Sequence, residues 1–175
     1  MRIFIISILL FFSCQSSAEV SFKNLNKAFV NWYFKYHPVE ALKYNININI
    51  DFKLSTKIEL DEYYADLSRF LIELSQIDIT KISQEARIDY EILYAKLEQL
   101  QFIFDKIKPW DWNPLWTLDN IYESLYLMTE RLDINMDIRV KSIEKRLKKI
   151  PQLLEDSKTL MIKSSSLHSN YANTK

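Results

Sequence analysis

An all-α fold is predicted: an antiparallel bundle of five to six long helices with short links, behind an N-terminal signal segment. Three observations predict it. Apolar residues recur every three or four positions along most of the chain, the spacing that lines one face of a helix. Glycine is absent from all 175 residues, where average usage would supply roughly twelve. Tight hairpin turns, Gly-rich phosphate loops and nucleophile elbows all need a residue at ease at positive φ, so they are disfavoured. Finally, Ser, Thr and Asp stand where apolar runs begin, as helix caps do.

The elements follow in order. The first 18 residues have the form of an export signal: Arg2, then an apolar run from Ile3 to Phe12 broken only by Ser7. At ten residues this run is too short to cross a bilayer as a helix, which takes about 20; the other reading is a buried N-terminal helix. The run ends Phe11-Phe12-Ser13-Cys14, similar to the lipobox of bacterial lipoproteins, in which the cysteine becomes the lipid-modified N-terminus. Cleavage before Cys14 is favoured, because the single cysteine of the chain falls there with no second one to pair with. Cleavage after Ser16-Ser17-Ala18, a small-x-small pattern, competes with it.

The helical domain is expected over 21–165. Ser21 can cap a helix to about Tyr36 with Phe22, Leu25, Phe29, Trp32 and Tyr36 inward, and Pro38 can open a short helix to about Tyr44. Residues 45–54 alternate apolar and polar, a strand period, but a lone strand cannot satisfy its own backbone. An extended loop laying Ile46, Ile48 and Ile50 on the helices is expected, with a small hairpin as the alternative. Thr56 and Glu59 form a capping box for a helix to about Ser75, burying Leu60, Tyr63, Tyr64, Leu67, Phe70, Leu71 and Leu74.

After a link near Asp78, Ser83 caps a helix to about Ile107. Its stripe is Tyr90, Leu93, Leu97, Leu100, Phe104 and Ile107, and a second row with Ile88, Ile92, Ala95 and Ile103 implies packing on two sides. An aromatic loop, Lys108 to Thr117, holds Trp110, Trp112 and Trp116. Thr117 or Asp119 caps the next helix, to about Arg131, with Leu118, Ile121, Leu125, Met128 and Leu132 inward. The last stretch runs from Met136 to Met161 with Met136, Val140, Ile143, Leu147, Ile150, Leu154 and Met161 in one stripe. Pro151 implies a kink or two coaxial pieces. The tail, 166–175, is polar and Ser/Asn-rich, the form of an interrupted sequence.

Residue chemistry excludes more than it assigns. With two histidines, His37 and His168, and one cysteine, no multi-His or Cys-cluster metal site can be built. His37, at a helix junction, reads as a hydrogen-bonded structural residue. The carboxylates Asp61, Glu62 and Asp66, and Asp89 with Glu91, read as solvated helix faces. The basic run Arg139, Lys141, Lys145, Arg146, Lys148 and Lys149 points to solvent, to acidic partners or to anionic headgroups, and the balance of 23 basic against 23 acidic residues argues against nucleic acid. Trp110, Trp112 and Trp116 either plug the end of the bundle or line a pocket or interface.

Several anchors then stand in order: His37-Pro38-Val39-Glu40-Ala41, Leu74-Ser75-Gln76-Ile77-Asp78, Arg87-Ile88-Asp89-Tyr90-Glu91-Ile92-Leu93, Trp112-Asn113-Pro114 and Arg146-Leu147-Lys148-Lys149-Ile150-Pro151. Their order and spacing over about residues 25 to 165 resembles the amino-terminal part of the bacterial domain of unknown function 885 family. The resemblance implies a largely helical, often exported protein similar to zinc metallopeptidases. In such proteins an HExxH helix lies in the carboxy-terminal half, where two histidines face zinc and the glutamate activates water. No such motif is present in this chain. The resemblance therefore carries over no catalytic or metal-binding residue, and implies an inactive helical front portion with zinc and a peptide substrate only in full-length relatives. Where that family usually has a glycine after the His-Pro helix, Asn45 stands here, the next best residue at positive φ. The expected setting is export, either membrane-anchored through Cys14 or periplasmic or secreted; the alternative function is a stand-alone exported binding module using its Trp-rich loop.

Overall fold

The computed structural model describes residues 16–46, 52–163 and 174. The readings at Cys14, over 47–51 and at His168 lie outside them. Among the described residues every regular element is helical: α1 Ser17–Tyr36, α2 Pro38–Lys43, α3 Lys57–Ser75, α4 Gln84–Phe102, α5 Leu115–Glu130 and α6 Met136–Leu160. The all-α bundle is the observed fold.

Local chemistry sets most boundaries. The first cap is Ser16, not Ser21: its hydroxyl accepts from the Glu19 N–H and α1 begins within the stretch read as signal. Thr56 accepts from the Glu59 N–H at 3.2 Å, and the Glu59 carboxylate returns to the Ser55 N–H at 3.1 Å, one residue outside a strict capping box. Ser83 accepts from Ala86 N–H at 3.3 Å. The α5 cap differs from both residues expected: Pro114 holds the position and the Asn113 side chain accepts from Leu115 N–H at 3.0 Å. Proline presets the helical φ, so the helix starts three to five residues early.

A chain without glycine must turn on other residues. Asn45, with φ 58°, ends α2 as its side chain allows. Leu54 (φ 61°) and Lys108 (φ 44°) take the same left-handed region at greater steric cost. Lys108 closes a π-turn, Ile103–Ile107, at the end of α4, and its N–H bonds Ile103 O at 2.8 Å. The Asp78 link is a single 3₁₀ turn, Ile79–Lys81. Of the two arrangements expected at Pro151, two separate pieces are not found: α6 continues through Pro151 as one helix.

The core is a three-helix sandwich of α1, α3 and α4. Phe22, Leu25, Phe29, Trp32 and Tyr36 meet Leu60, Tyr63, Leu67, Phe70 and Leu74, with Leu93, Leu97, Leu100 and Phe104 completing it. The start of α1 lies beside the start of α4, where Glu19 accepts from Ser83, so α3 runs antiparallel to both. α4 packs on both α1 and α3, but through its first stripe. Of the second row, Ile88 and Ile92 are 58% and 63% exposed and Ala95 faces out, with Ile103 half-buried; Ile107, at the end of the first stripe, is exposed too. Tyr64 on α3 is exposed too, because Tyr63 takes the inward direction next to it.

The α5–α6 hairpin joins this core through α2, whose Val39, Ala41 and Leu42 are buried. Ile121 and Met128 of α5 are inward, and Leu118 and Leu125 half-buried. Leu132 is 80% exposed, because the helix has already ended at Glu130. On α6 the orientation departs from the expected stripe. Ser142, Arg146 and Leu153 are its buried residues, whereas Met136, Val140 and Leu147 are 68%, 51% and 50% exposed, with Ile143, Ile150, Leu154 and Met161 half-buried. The Arg146 guanidinium bonds the Ser142 hydroxyl and, at 3.3 Å, the Ser142 carbonyl, one turn back on α6.

Candidate functional site

The junction of α1 and α2 positions a histidine against two tyrosines. Pro38 cannot donate a hydrogen bond and fixes its own φ, so the chain bends at His37, whose N–H still reaches Tyr33 O at 2.8 Å. The His37 ring stacks on Tyr33 (centroids 4.2 Å apart) and its Nε2 lies 2.9 Å from Tyr63 Oη. Burial, with the Lys96 ammonium adding to it, pushes the imidazole down to about 3, so it is neutral at physiological pH. Burial likewise pushes the Tyr63 phenol well above its usual range. His37 is thus the hydrogen-bonded residue that its place at a helix junction implies.

Beside His37 lies a cavity of about 230 Å³. Its walls come from the α1–α2 junction, from residues 52–55, from α5 and from Leu153 of α6. Tyr33, Tyr36, Phe52 and Trp116 supply aromatic surface; Glu40, Lys53, Asn120 and Glu123 supply polar groups. Lys43 bridges the carboxylates of Glu40 and Glu123, both at 3.0 Å, and so ties α2 to α5 across the rim. Lys53 is held by Glu59 at 2.9 Å. Burial would raise the Glu59 carboxyl, but hydrogen bonds from Lys53 and Ser55 outweigh it and hold the group below the usual carboxylate range. The volume is below the roughly 300 Å³ at which typical ligand pockets begin, so the space suits a molecule no larger than a single amino acid.

The three loop tryptophans separate. Trp116 lines this cavity. Trp110 packs on Phe104 (centroids 4.6 Å) and meets Trp116 edge-on at 6.4 Å, closing the end of the bundle. Its other neighbours form an apolar cleft of about 190 Å³ with Pro114, Leu118, Leu154 and Met161. Trp112 is 36% exposed and donates its indole N–H to Ile107 O at 2.8 Å, which braces the π-turn. The loop is therefore a plug at Trp110, a brace at Trp112 and a pocket wall at Trp116.

The carboxylates behave as solvated faces: Lys57 pairs with Asp61 at 2.8 Å and Arg69 with Asp66 at 3.2 Å on the surface of α3, and Glu62, Asp89 and Glu91 are exposed. Of the basic run, Arg146 is buried and Arg139 donates to Thr129 O at 2.8 Å. Among the described residues no group of three or more His, Cys, Asp or Glu side chains is placed to hold a metal ion. No helix among them is long and apolar enough to cross a membrane. Glu40, Lys53, Asn120 and Glu123 are the residues that sequence reasoning missed. The anchor His37-Pro38-Val39-Glu40-Ala41 carried the one available signal, placing Glu40 a turn beyond His37.

No family model matches the chain, and no curated protein matches it. One solved structure is similar: a "putative lipoprotein of unknown function" from Shewanella oneidensis, with a TM-score of 0.76 at 18% sequence identity. The match covers 86% of this chain and 28% of that one, so the chain spans little more than a quarter of its neighbour's length and shares its helical fold over that part.

Proposed function

We propose that this chain is the helical front portion of an exported, membrane-anchored protein of the metallopeptidase-like kind that its ordered anchors resemble. In that role it scaffolds a catalytic zinc site contributed by another part of the protein and holds none itself. The observation that carries the reading is the posture of α6. It buries Ser142 and Arg146 and turns Met136, Val140 and Leu147 to the outside. α6 still buries Leu153 and half-buries Ile143, Ile150 and Leu154, but an apolar stripe left open over its first half is suited to being covered by further structure. The greater length of the structural neighbour agrees with this reading.

The anchor is Cys14. Cleavage before it keeps Ser16, whose hydroxyl caps α1. Cleavage after Ala18 would remove that cap, worth about 1 kcal/mol, and would set a new α-amino charge at the positive end of the helix. The fold therefore favours the lipoprotein-type cut.

The test is the nucleotide sequence past codon 175. A continuing frame that encodes His-Glu-x-x-His supports the scaffold reading; the absence of that motif from any continuing frame sinks it. A second reading, an exported binding module, is favoured by one feature, the cavity that Trp116 shares with His37, Glu40 and Glu123. Titration of the purified chain with small amines and amino acids, followed by Trp fluorescence, tests that reading.

A further inference from the structure

We infer that the end of the bundle formed by the first turn of α1 and the Ile79–Lys81 turn lies against the bilayer surface, with Ile79 as its apolar contact. The inference rests on acylation of Cys14. Only Gln15 stands between that cysteine and Ser16, and two steps of an extended chain span at most about 7 Å, so the acylated residue is tethered within about that distance of the Ser16 Cα.

Ser16 cannot swing on a loose tether. Its hydroxyl caps α1 through the Glu19 N–H at 3.1 Å and donates to the Lys81 carbonyl across a sequence separation of 65. Glu19 in turn accepts from the Ser83 N–H and hydroxyl, both at 3.4 Å. The start of α1, the 3₁₀ turn and the start of α4 therefore form one tip, to which the acylated residue is tethered.

What this tip presents suits a lipid interface without a strong charge. Ile79 and Val20 are each 44% exposed. The nearby charges balance: Glu19 pairs with Lys23 at 3.1 Å and Asp78 with Lys81 at 2.8 Å, and Arg87, which donates to Thr80 O at 3.4 Å, is matched in number by Glu85 in the first turn of α4. Docking should accordingly not require anionic lipid. The opposite end is far away. α1 has 20 residues, about 30 Å of helix. Beyond its far end Arg131 donates to Leu42 O at 3.4 Å, beside the exposed Leu132.

The lipidated protein in phosphatidylcholine vesicles tests this. An environment-sensitive dye is attached through Ile79→Cys in one sample and Leu132→Cys in another; both positions are exposed, so folding is undisturbed. Brominated phosphatidylcholine should quench the dye at position 79 several-fold more than the dye at 132. Mass spectrometry of the mature N-terminus is run on the same samples. An acylated Cys14 with equal, weak quenching at both positions overturns the docking alone. An N-terminus without acyl chains overturns the lipid anchor and the docking with it. A dye at 79 shielded from aqueous iodide, yet untouched by brominated lipid, assigns the tip to a protein partner and also overturns the inference.

Discussion

Acidification from pH 7.5 to pH 5 should destabilise this protein through one residue, His37. In the folded chain burial, with Lys96 of α4 adding to it, holds the imidazole down to about 3, against 6.5 as the ordinary value. Tyr33 of α1 and Tyr63 of α3 face the ring and stay uncharged, since burial raises both phenols. The sign follows from proton uptake: between pH 6.5 and 3 the unfolded chain binds a proton that the folded chain refuses. Stability is therefore complete above 6.5 and is lost as the pH falls toward 3. At about 1.4 kcal/mol per pH unit, the loss at pH 5 is about 2 kcal/mol. Urea melts followed by circular dichroism read this directly, as a fall in midpoint of roughly 1 M for a slope of 1–3 kcal/mol/M. His37→Gln should abolish the dependence between pH 7.5 and 5, while His168→Gln should leave it intact. A wild-type midpoint that is flat over this window, or a slope that survives in His37→Gln, would refute the assignment. Carboxylates held low by their partners, such as Asp78 beside Lys81 at about 2, lose their stabilisation only at lower pH and do not confound the window.

Other perturbations separate the buried from the unpartnered surfaces. Leu97→Ala, at a fully buried position, should cost about 2–5 kcal/mol in the same melts, and Ile92→Ala, 63% exposed on the same helix, less than about 0.5 kcal/mol. Lys108→Gly should raise stability by about 0.5–1 kcal/mol, because glycine relieves the left-handed backbone at φ 44°. Cys14→Ser should move the protein from the membrane fraction to the soluble one. Persistence in membranes would remove the anchor.

Much of the architecture was legible because its causes are local. Thr56 and Ser83 cap the helices that their side chains announced, since a hydroxyl needs only the N–H three residues on. Asn45 takes the positive φ that a glycine would otherwise fill. Leu54 and Lys108 adopt the same region with no compositional sign, since the surrounding packing imposes it on residues that do not prefer it. The apolar rhythm specified helices but not partners. Leu93 and Leu97 are buried while Ile88 and Ile92, on the same helix, are not, and the difference depends on where α1 and α3 lie. The same limit holds on α6, which packs on α5 with Ser142 and Arg146 buried and Val140 and Leu147 exposed. The cavity was illegible for a third reason. It forms only where His37, Leu54, Trp116 and Leu153, distant in sequence, converge.

The stripe left open on α6 tests most directly whether the chain is a scaffold made to be covered. Sedimentation velocity on the mature chain and on the double variant Val140→Ser with Leu147→Ser is the decisive comparison. Both positions are half exposed, so the substitutions should leave folding stability nearly unchanged. Self-association of the parent chain that the double variant abolishes is the expected result. A parent chain that sediments as a monomer at all concentrations, and unfolds in one sharp reversible step, would contradict it.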